Sequence, residues 1–283
     1  MKKILFLFLA VAVLCPRLSW AGQRAEVMML PTRVVMENKD RYTTVVIKNT
    51  GDATGDFSVT MIDMAMHEDG MVVPLEEGKK DPYSAIPYLR VAPKSMTLKP
   101  GAAQNVRIML RKPEGLEPGE YRSHMLVKIE NDNVEASQHP KEGAAKASKE
   151  TQIEVKTNLV LVIPVIVRNG ETTLAMKIAS PKIIHDAKGV AALEVSLLRE
   201  GNRSSMGDFT VTYNAPVGKS QVIKSFPGIP VYRSLDQRTV LIPMDDIPKD
   251  ISLSAGTLDI AYSAQEKEGG KKLAEAQLDL AAH

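Results

Sequence analysis

The sequence has almost no cysteine and only one long apolar run, and both lie within its first residues. Cys15 is the only cysteine among 283 residues, so the chain can form no internal disulfide bond and its stability must come from burial. Beyond those first residues no apolar run is long enough for a membrane helix. Lysine plus arginine number 36 and aspartate plus glutamate 34. This near balance argues against a partner that is a nucleic acid or an acidic membrane surface.

The first 21 residues have the pattern of a secretory signal peptide. Lys2 and Lys3 precede an apolar run at residues 4–14, and Ser19-Trp20-Ala21 places small residues at the positions that a signal peptidase reads. Cys15 follows a leucine, where a lipoprotein site would have a small residue, which argues against lipidation. We therefore predict cleavage after Ala21 and export, with a bacterial periplasm as the compartment that fits best.

The remaining sequence is typical of an all-β protein. Short runs rich in Val, Ile, Thr and Met alternate with clusters of Gly, Pro, Asn and Asp, a spacing that predicts β-sandwiches. The runs lie at residues 42–48, 56–62, 105–110, 121–129, 192–198, 208–213 and 257–262. Long amphipathic helical patterns are missing.

An internal similarity predicts two related domains. The segment GDFSVT at residues 55–60 matches GDFTVT at residues 207–212, and equivalent strands of two domains would produce this. A turn signal at residues 168–170 marks the predicted boundary. The predicted organisation is a signal peptide at 1–21, a first sandwich at 22–168 and a second at 169–283.

The segment at the end of the first domain is the part of the sequence that is most informative about function. Residues 131–150 are charged and nearly free of large apolar side chains, which favours a solvated loop. After this loop, Ile153, Val155, Thr157 and Leu159 alternate with polar residues, as in a half-exposed strand, and residues 159–167 then form an apolar run suited to coverage on both faces. Such a strand on a free edge can pair with a strand of another chain. An ordinary sandwich strand is the alternative.

The sequence offers no convincing catalytic or metal-binding motif. The five histidines are scattered without metal-ligand spacing, and no Gly-x-Ser-x-Gly motif occurs. Gly218-Lys219-Ser220 resembles the end of a phosphate-binding loop, but Tyr213 stands where that motif needs its first glycine. We therefore predict no catalysis, cofactor, metal or small-molecule substrate. A periplasmic hydrolase on a β-sandwich remains an alternative supported only by the scattered histidines.

One basic residue lies in a distinctive context. Arg33 follows Pro31 in a first strand that the proline interrupts, and proline is confined to strand edges or to places where a strand changes sheet. An arginine near a cleft between two sandwiches can hold a carboxylate through two hydrogen bonds. A surface arginine on an edge strand is the alternative.

In combination, these features resemble the PapD-like periplasmic chaperones of pilus assembly, whose two domains are immunoglobulin-like sandwiches. The resemblance extends over nearly the whole chain after residue 21, and the apolar run and long loop are more similar to the archaic or spore-coat type. The segments that carry it are TRVVM (32–36), YLRVAPKSMTLKPGAAQNVRI (88–108), PGEYRSHMLVKI (118–129), IPVIVR (163–168), GDFTVTY (207–213), RTVLIPM (238–244) and GTLDIAYS (256–263).

The resemblance implies a function without catalysis. A pilus subunit of this pathway lacks the last strand of its own sandwich, and the chaperone supplies that strand until the subunit reaches an outer-membrane usher. Here residues 151–163 would be the donor strand, and Ile153, Val155, Thr157 and Leu159 would be the donated side chains. The implied partners are pilus or coat subunits and the usher.

The resemblance also implies a basic anchor for the subunit's C-terminal carboxylate. Arg33 matches the arginine of this anchor, whereas the position expected for its lysine holds Val160 when the strand ends are aligned. Arg122 and Lys156 are the substitute candidates, and Arg168 matches an arginine at the domain junction. The alternative function is that of an exported structural or adhesive immunoglobulin-like surface protein.

Overall fold

The computed structural model describes residues 24–130, 159–248 and 251–280, and these residues form β-strands with no α-helix. This confirms the all-β prediction. The strands of the first half are β1 (Val27–Leu30), β2 (Val34–Met36), β3 (Tyr42–Asn49), β4 (Gly55–Ile62), β5 (Met64–Met66), β6 (Val72–Pro74), β7 (Leu89–Ala92), β8 (Ser95–Leu98), β9 (Ala103–Leu110), β10 (Gly119–Ile129) and β11 (Val160–Asn169). Those of the second half are β12 (Leu174–His185), β13 (Ala191–Gly201), β14 (Ser205–Asn214), β15 (Ser220–Val231), β16 (Gln237–Pro243), β17 (Thr257–Ala264) and β18 (Lys272–Asp279). Two short 3-10 turns are η1 (Ile86–Tyr88) and η2 (Glu266–Glu268).

The strands form two sandwiches in tandem. In the first, sheet A has the order β1-β3-β9-β7 and sheet B the order β2-β11-β10-β4-β8. In the second, sheet C has the order β12-β13-β16 and sheet D the order β15-β14-β17-β18, while β5 and β6 form a separate hairpin. Each sandwich encloses its own apolar core. The predicted class of two immunoglobulin-like sandwiches is confirmed.

The two Gly-Asp-Phe segments occupy corresponding positions. One lies in β4 and the other in β14, and each strand pairs with the penultimate long strand of its own sandwich, β10 or β17. Phe57 and Phe209 are fully buried in the first and second cores. The sequence similarity therefore reflects a shared packing role, because the same aromatic side chain fills each core from the same strand.

The first strand changes sheet where the sequence places Pro31. β1 pairs with β3 in sheet A, and β2 pairs in parallel with β11 in sheet B, so the chain crosses between the sheets over residues 31–33. The crossing leaves Arg33 directly before β2. In the parallel register Val34 is level with Val165, which makes Pro164 the β11 residue level with Arg33. A proline at that position has no N–H to offer a ladder.

β11 is covered less completely than the apolar run predicts. Val165, Ile166 and Val167 are fully buried, but Val160 is 42% exposed, and Leu161 and Val162 are half-buried. On the face toward the first core, burial extends outward to Ile163, whereas on the opposite face Pro164 and Val162 are only half-buried. Both faces are therefore buried from Val165 and not from Leu159. The edges differ in the same direction, because β10 pairs along the whole of β11 and β2 pairs only at Val165, Ile166 and Val167. The predicted residue boundaries of the two domains stay predictions.

The hairpin of β5 and β6 contacts the second sandwich. The N–H of Thr239 in β16 donates to the carbonyl of Glu68, with 2.7 Å between nitrogen and oxygen. The guanidinium of Arg238 lies against Gly70, whose φ of 86° places it in the left-handed region that favours glycine. A side chain at Gly70 would overlap with that guanidinium. This turn is thus a contact between the sandwiches that is separate from the junction described below.

Candidate functional site

The candidate site lies on the outer face of sheet B, where β10 and β11 face the second sandwich. Strand alternation sends Tyr121, Met125 and Val127 into the first core and leaves the even-numbered side chains of β10 on the outer face. The antiparallel register then builds a ladder of facing pairs along the two strands. From the junction outward, the pairs are Glu120 with Arg168, Arg122 with Ile166, His124 with Pro164, Leu126 with Val162 and Lys128 with Val160. The ladder is charged near the second sandwich and largely apolar further away.

Glu120 is the most enclosed charge of the site, with a side chain only 1% exposed. Its carboxylate accepts hydrogen bonds from Arg122 at 3.1 Å, from Arg168 at 3.3 Å and from the hydroxyl of Ser204 in the second sandwich. Burial alone would raise the pKa of Glu120, but Arg122, the Ser204 hydroxyl and Arg168 outweigh it and hold the pKa below its ordinary value. Glu120 is therefore ionised at neutral pH and binds groups of both sandwiches.

Arg168 joins three carboxylates at the junction. Besides Glu120, it donates to Glu37 at 3.1 Å, and its Nη2 lies 3.6 Å from a carboxylate oxygen of Glu268 in the second sandwich. Burial disfavours the charged form of Arg168, but Glu120, Glu268 and Glu37 outweigh burial and raise its pKa. These carboxylates are the partners that the sequence left unidentified for a junction arginine.

Arg33 lies beside this cluster and pairs with the same residue of the second sandwich. Its Nη1 is 3.1 Å from Glu268 Oε1, and the two side chains are 10% and 16% exposed. Burial lowers the pKa of Arg33, Glu268 acts in the opposite direction, and Arg122 lowers the pKa further. Arg33 and Arg122 thus act on each other across the cleft, although 89 positions in the sequence separate them.

Arg122 is held against the second sandwich as well. Its guanidinium donates to Ser204 at 2.6 Å and lies 3.9 Å from the ring centre of Tyr232, a cation–π distance. The neighbouring Arg233 stacks on Tyr83 of the first sandwich at 3.8 Å and donates to the carbonyl of Glu120 at 2.9 Å. Arginines and aromatic rings of both sandwiches therefore pack around Glu120.

His124 continues the ladder beyond Arg122. It is 4% exposed, its Nε2 lies 3.2 Å from the hydroxyl of Tyr232, and its Nδ1 has no hydrogen-bond partner among the described residues. Burial and the positive charge of Arg122 lower the pKa of His124 to about 4. The ring is consequently neutral at physiological pH.

Away from the junction, β11 has one free edge. The N–H of Ile129 donates to the carbonyl of Leu159, so antiparallel geometry directs the backbone groups of Leu161 and Ile163 to β10 as well. The N–H and C=O groups of Val160 and Val162 therefore point away from β10. Within residues 24–130 and 159–280, apart from 249–250, no strand pairs with that edge from 160 to 164.

A column of apolar side chains leads from the first core to this free edge. Val167, Val165 and Ile163 are buried, Leu161 is half-buried and packs against the core, and Leu159 is 41% exposed. All five have the same parity along the strand and hence the same face. The column thus passes out of its own sandwich with an apolar residue at its exposed end.

The structure brings together some of the predicted residues and leaves others aside. Arg33, Arg122 and Arg168 converge on one cleft, and Leu159 lies at the free edge. Ile153, Val155, Thr157 and Lys156 lie outside the described residues.

Sequence reasoning missed Glu120, Glu268, Ser204 and Tyr232. Only Glu120 gave a usable signal, because it alternates with Arg122 in one strand and so had to share its face.

The described residues contain no group of three or more His, Cys, Asp and Glu side chains arranged to hold a metal ion. In the same part of the chain, none of the helical segments reaches the length and apolar character that crossing a membrane requires.

Comparison with known proteins gives structural likeness at low sequence identity. No protein-family model and no curated protein sequence matches the chain. Among solved structures, it is similar to the class 5 fimbriae chaperone CfaA, with 12% identity over 90% of this chain and 98% of that one and a TM-score of 0.45. It is also similar to the CsuC–CsuE chaperone–adhesion subunit complex of the archaic Csu pili of Acinetobacter baumannii, with 12% identity, 89% and 98% covered and a TM-score of 0.43. The Pseudomonas aeruginosa CupB2 chaperone gives the same values.

Removing the negative charge of Glu120 is expected to destabilise the junction strongly. Glu120→Gln leaves Arg122 and Arg168 without their shared buried carboxylate, at a cost of about 3 kcal/mol in the free energy of unfolding. The control is Glu37→Gln, because Glu37 also pairs with Arg168 but is 58% exposed, so its loss costs less than about 1 kcal/mol. Urea unfolding followed by circular dichroism measures both. Equal losses in the two variants would show that Glu120 is not the central charge.

Protonation of His124 is expected to destabilise the fold in mild acid. The folded protein holds the pKa of His124 at about 4, against 6.5 in the unfolded chain, so the unfolded state binds more protons between these values and stability falls as pH falls through that window. His124→Phe keeps a ring beside Tyr232 and cannot be protonated. The wild type should lose up to about 3 kcal/mol more than the variant between pH 6.5 and 4. Parallel pH profiles of unfolding free energy would contradict this.

Proposed function

We propose that this chain is a periplasmic chaperone that binds pilus or coat subunits by lending them a strand, and that it delivers them to an outer-membrane usher. The partner class and compartment follow from the sequence resemblance and the predicted signal peptide. The observation that carries the proposal is the apolar column of β11, which leaves its own core and ends at an exposed leucine beside a free strand edge.

The free edge supports strand pairing with a second chain. Val160 and Val162 offer backbone donors and acceptors on the side away from β10. The row of free N–H donors ends at Pro164, because proline has no N–H. An extended segment of a partner can pair there as an additional strand, in the mode of β-augmentation. Charged side chains commonly protect an edge from pairing, whereas Val160, Leu161 and Val162 are apolar.

The donated side chains supply the energy of capture. Leu159 is the described member of the donor set, and Ile153, Val155 and Thr157 precede it with the same alternation in the sequence. Burying three large aliphatic side chains at about 1.5 to 3 kcal/mol each gives roughly 5 to 9 kcal/mol before the costs of association. That range permits capture and later release to a permanent strand.

The cleft arginines support a carboxylate anchor for the end of the subunit. Arg33 and Arg122 face the same cleft, because Arg33 and Arg168 share Glu268 and Arg168 and Arg122 share Glu120. In the proposal, Arg33 binds the C-terminal carboxylate and Arg122 adds positive charge where other members of the resembled family use a lysine. Lys156, the other candidate, lies outside the described residues.

Charged substitutions at the donor positions should abolish capture without unfolding the chaperone. Ile153→Asp, Val155→Asp and Leu159→Asp each place a carboxylate where an apolar groove has to be filled, which costs several kcal/mol of binding. Leu241→Asp is the matched control, because Leu241 is a leucine 52% exposed on the second sandwich. Tagged variants are recovered from periplasmic extract, and co-purifying proteins are identified and quantified by mass spectrometry.

The wild type and the Leu241 variant should retain a partner that contains an incomplete immunoglobulin-like domain, and the three donor variants should lose it. Circular dichroism of each purified variant checks that the fold is intact. Equal recovery of partner with folded donor variants would rule out the lent strand.

A further inference from the structure

The candidate anchor Arg33 already has a carboxylate beside it, supplied by the second sandwich. Glu268 Oε1 lies 3.1 Å from Arg33 Nη1 and 3.6 Å from Arg168 Nη2, so a single oxygen is shared by two guanidinium groups. Both arginines are largely buried, with side chains 10% and 9% exposed. Glu268 therefore occupies the place at which an incoming carboxylate would meet Arg33.

The pairing with Glu268 neutralises charge but leaves hydrogen-bonding capacity unused. Arg33 Nη1 and Arg168 Nη2, the two nitrogens nearest to Glu268, are buried and have no hydrogen-bond acceptor among the described residues. A buried donor without an acceptor is unfavourable. A carboxylate that approached in the plane of a guanidinium would satisfy such a donor, which Glu268 does not do.

Glu268 is placed where it can move without breaking a strand. It ends η2 in the connection between β17 and β18, and Gly269 and Gly270 follow it with φ values of 99° and 63°. These left-handed conformations suit glycine and few other residues. If Glu268 leaves, Arg168 still has Glu120 and Glu37, whereas Arg33 keeps no carboxylate within ion-pairing distance among the described residues.

We propose that Glu268 is an internal substitute for the ligand's carboxylate. It pairs with Arg33 while the cleft is empty, and the C-terminal carboxylate of a subunit displaces it. This rests on the proposed function, because it assumes that Arg33 receives that carboxylate. While the cleft is empty, the pairing with Glu268 prevents Arg33 from being a buried cation without a counter-charge. It also keeps the anchor weak, since one ion pair is lost as another forms.

The test uses a defined carboxylate in place of the unidentified subunit. The probes are acetyl-Ala-Ala-Ala with a free C-terminus and the same peptide as its amide, each titrated into the full mature chain. Binding of each peptide is measured by isothermal titration calorimetry, which also serves for Arg33→Ala. The Nε–Hε resonance of Arg33 in ¹⁵N-labelled protein, assigned with Arg33→Ala, reports whether Arg33 is contacted. The wild type should bind the acid in preference to the amide. Glu268→Gln should bind the acid roughly five-fold tighter or more and leave amide binding unchanged.

Matched variants separate displacement from a general charge effect. Glu37→Gln removes the same charge from the same arginine cluster but leaves the contact with Arg33, so its affinity for the acid should equal that of the wild type. Glu268→Asp keeps the charge on a shorter side chain and should give an intermediate affinity. It also serves as the test variant if the glutamine variant does not fold, as judged by thermal unfolding.

The outcomes distinguish this proposal from the one on which it rests. If the acid is preferred, Arg33→Ala removes the preference and the Glu268 variants bind like the wild type, the internal substitute is wrong and the anchor stands. If Glu37→Gln tightens binding as much as Glu268→Gln, the effect is one of charge alone and displacement is again wrong. If the wild type does not prefer the acid, the carboxylate anchor fails and the substitute fails with it.

Discussion

The carboxylate of Glu120 is bonded from both sandwiches at once, and the geometry of the cleft depends on it. Arg122 and Arg168 approach it from β10 and β11, and Ser204 donates to it from the second sandwich. A buried carboxylate needs such partners, because losing even one leaves an uncompensated charge in a medium that solvates it poorly. Glu120 thus joins the two sandwiches in their observed orientation, which the separate contact of the β5–β6 hairpin also supports. That orientation directs the outer face of sheet B into the cleft.

From the junction outward, the pairing and the burial of β11 decrease along the strand. Near Arg168 it is paired on both edges and buried on both faces, and near Val160 it is paired on one edge and partly exposed. One strand therefore combines a rigid attachment with a surface available for pairing. The charges of the cleft and the apolar column lie at opposite ends of this strand. A ligand that used both would be fixed in register by its carboxylate and held by its apolar contacts, which separates specificity from binding energy.

Much of the fold could be predicted from the sequence because its signals are local. Alternation over a few residues predicts a strand, and Pro31 predicted either a strand edge or a change of sheet, of which the structure has the change of sheet. The Gly-Asp-Phe repeat predicted two related sandwiches. At the junction, the arginine could be predicted but its carboxylate partners could not. The family resemblance predicted Arg168 as the junction arginine, but its partners Glu120 and Glu268 lie 48 and 100 positions away. With 34 acidic residues in the chain, no local pattern selects Glu268, and the alternation that places Glu120 on the face of Arg122 does not identify Arg168 as its partner.

Residue-resolved hydrogen exchange along β11 tests the central claim most directly. In the free protein, the amides of Val160 and Val162 should exchange quickly because they face the open edge, while those of Leu161 and Ile163 should be protected by β10. In the complex with its co-purified partner, Val160 and Val162 should become protected, and the edge strand β8 on the far side of the same sheet should not change. A stable complex in which Val160 and Val162 still exchange quickly would contradict the account.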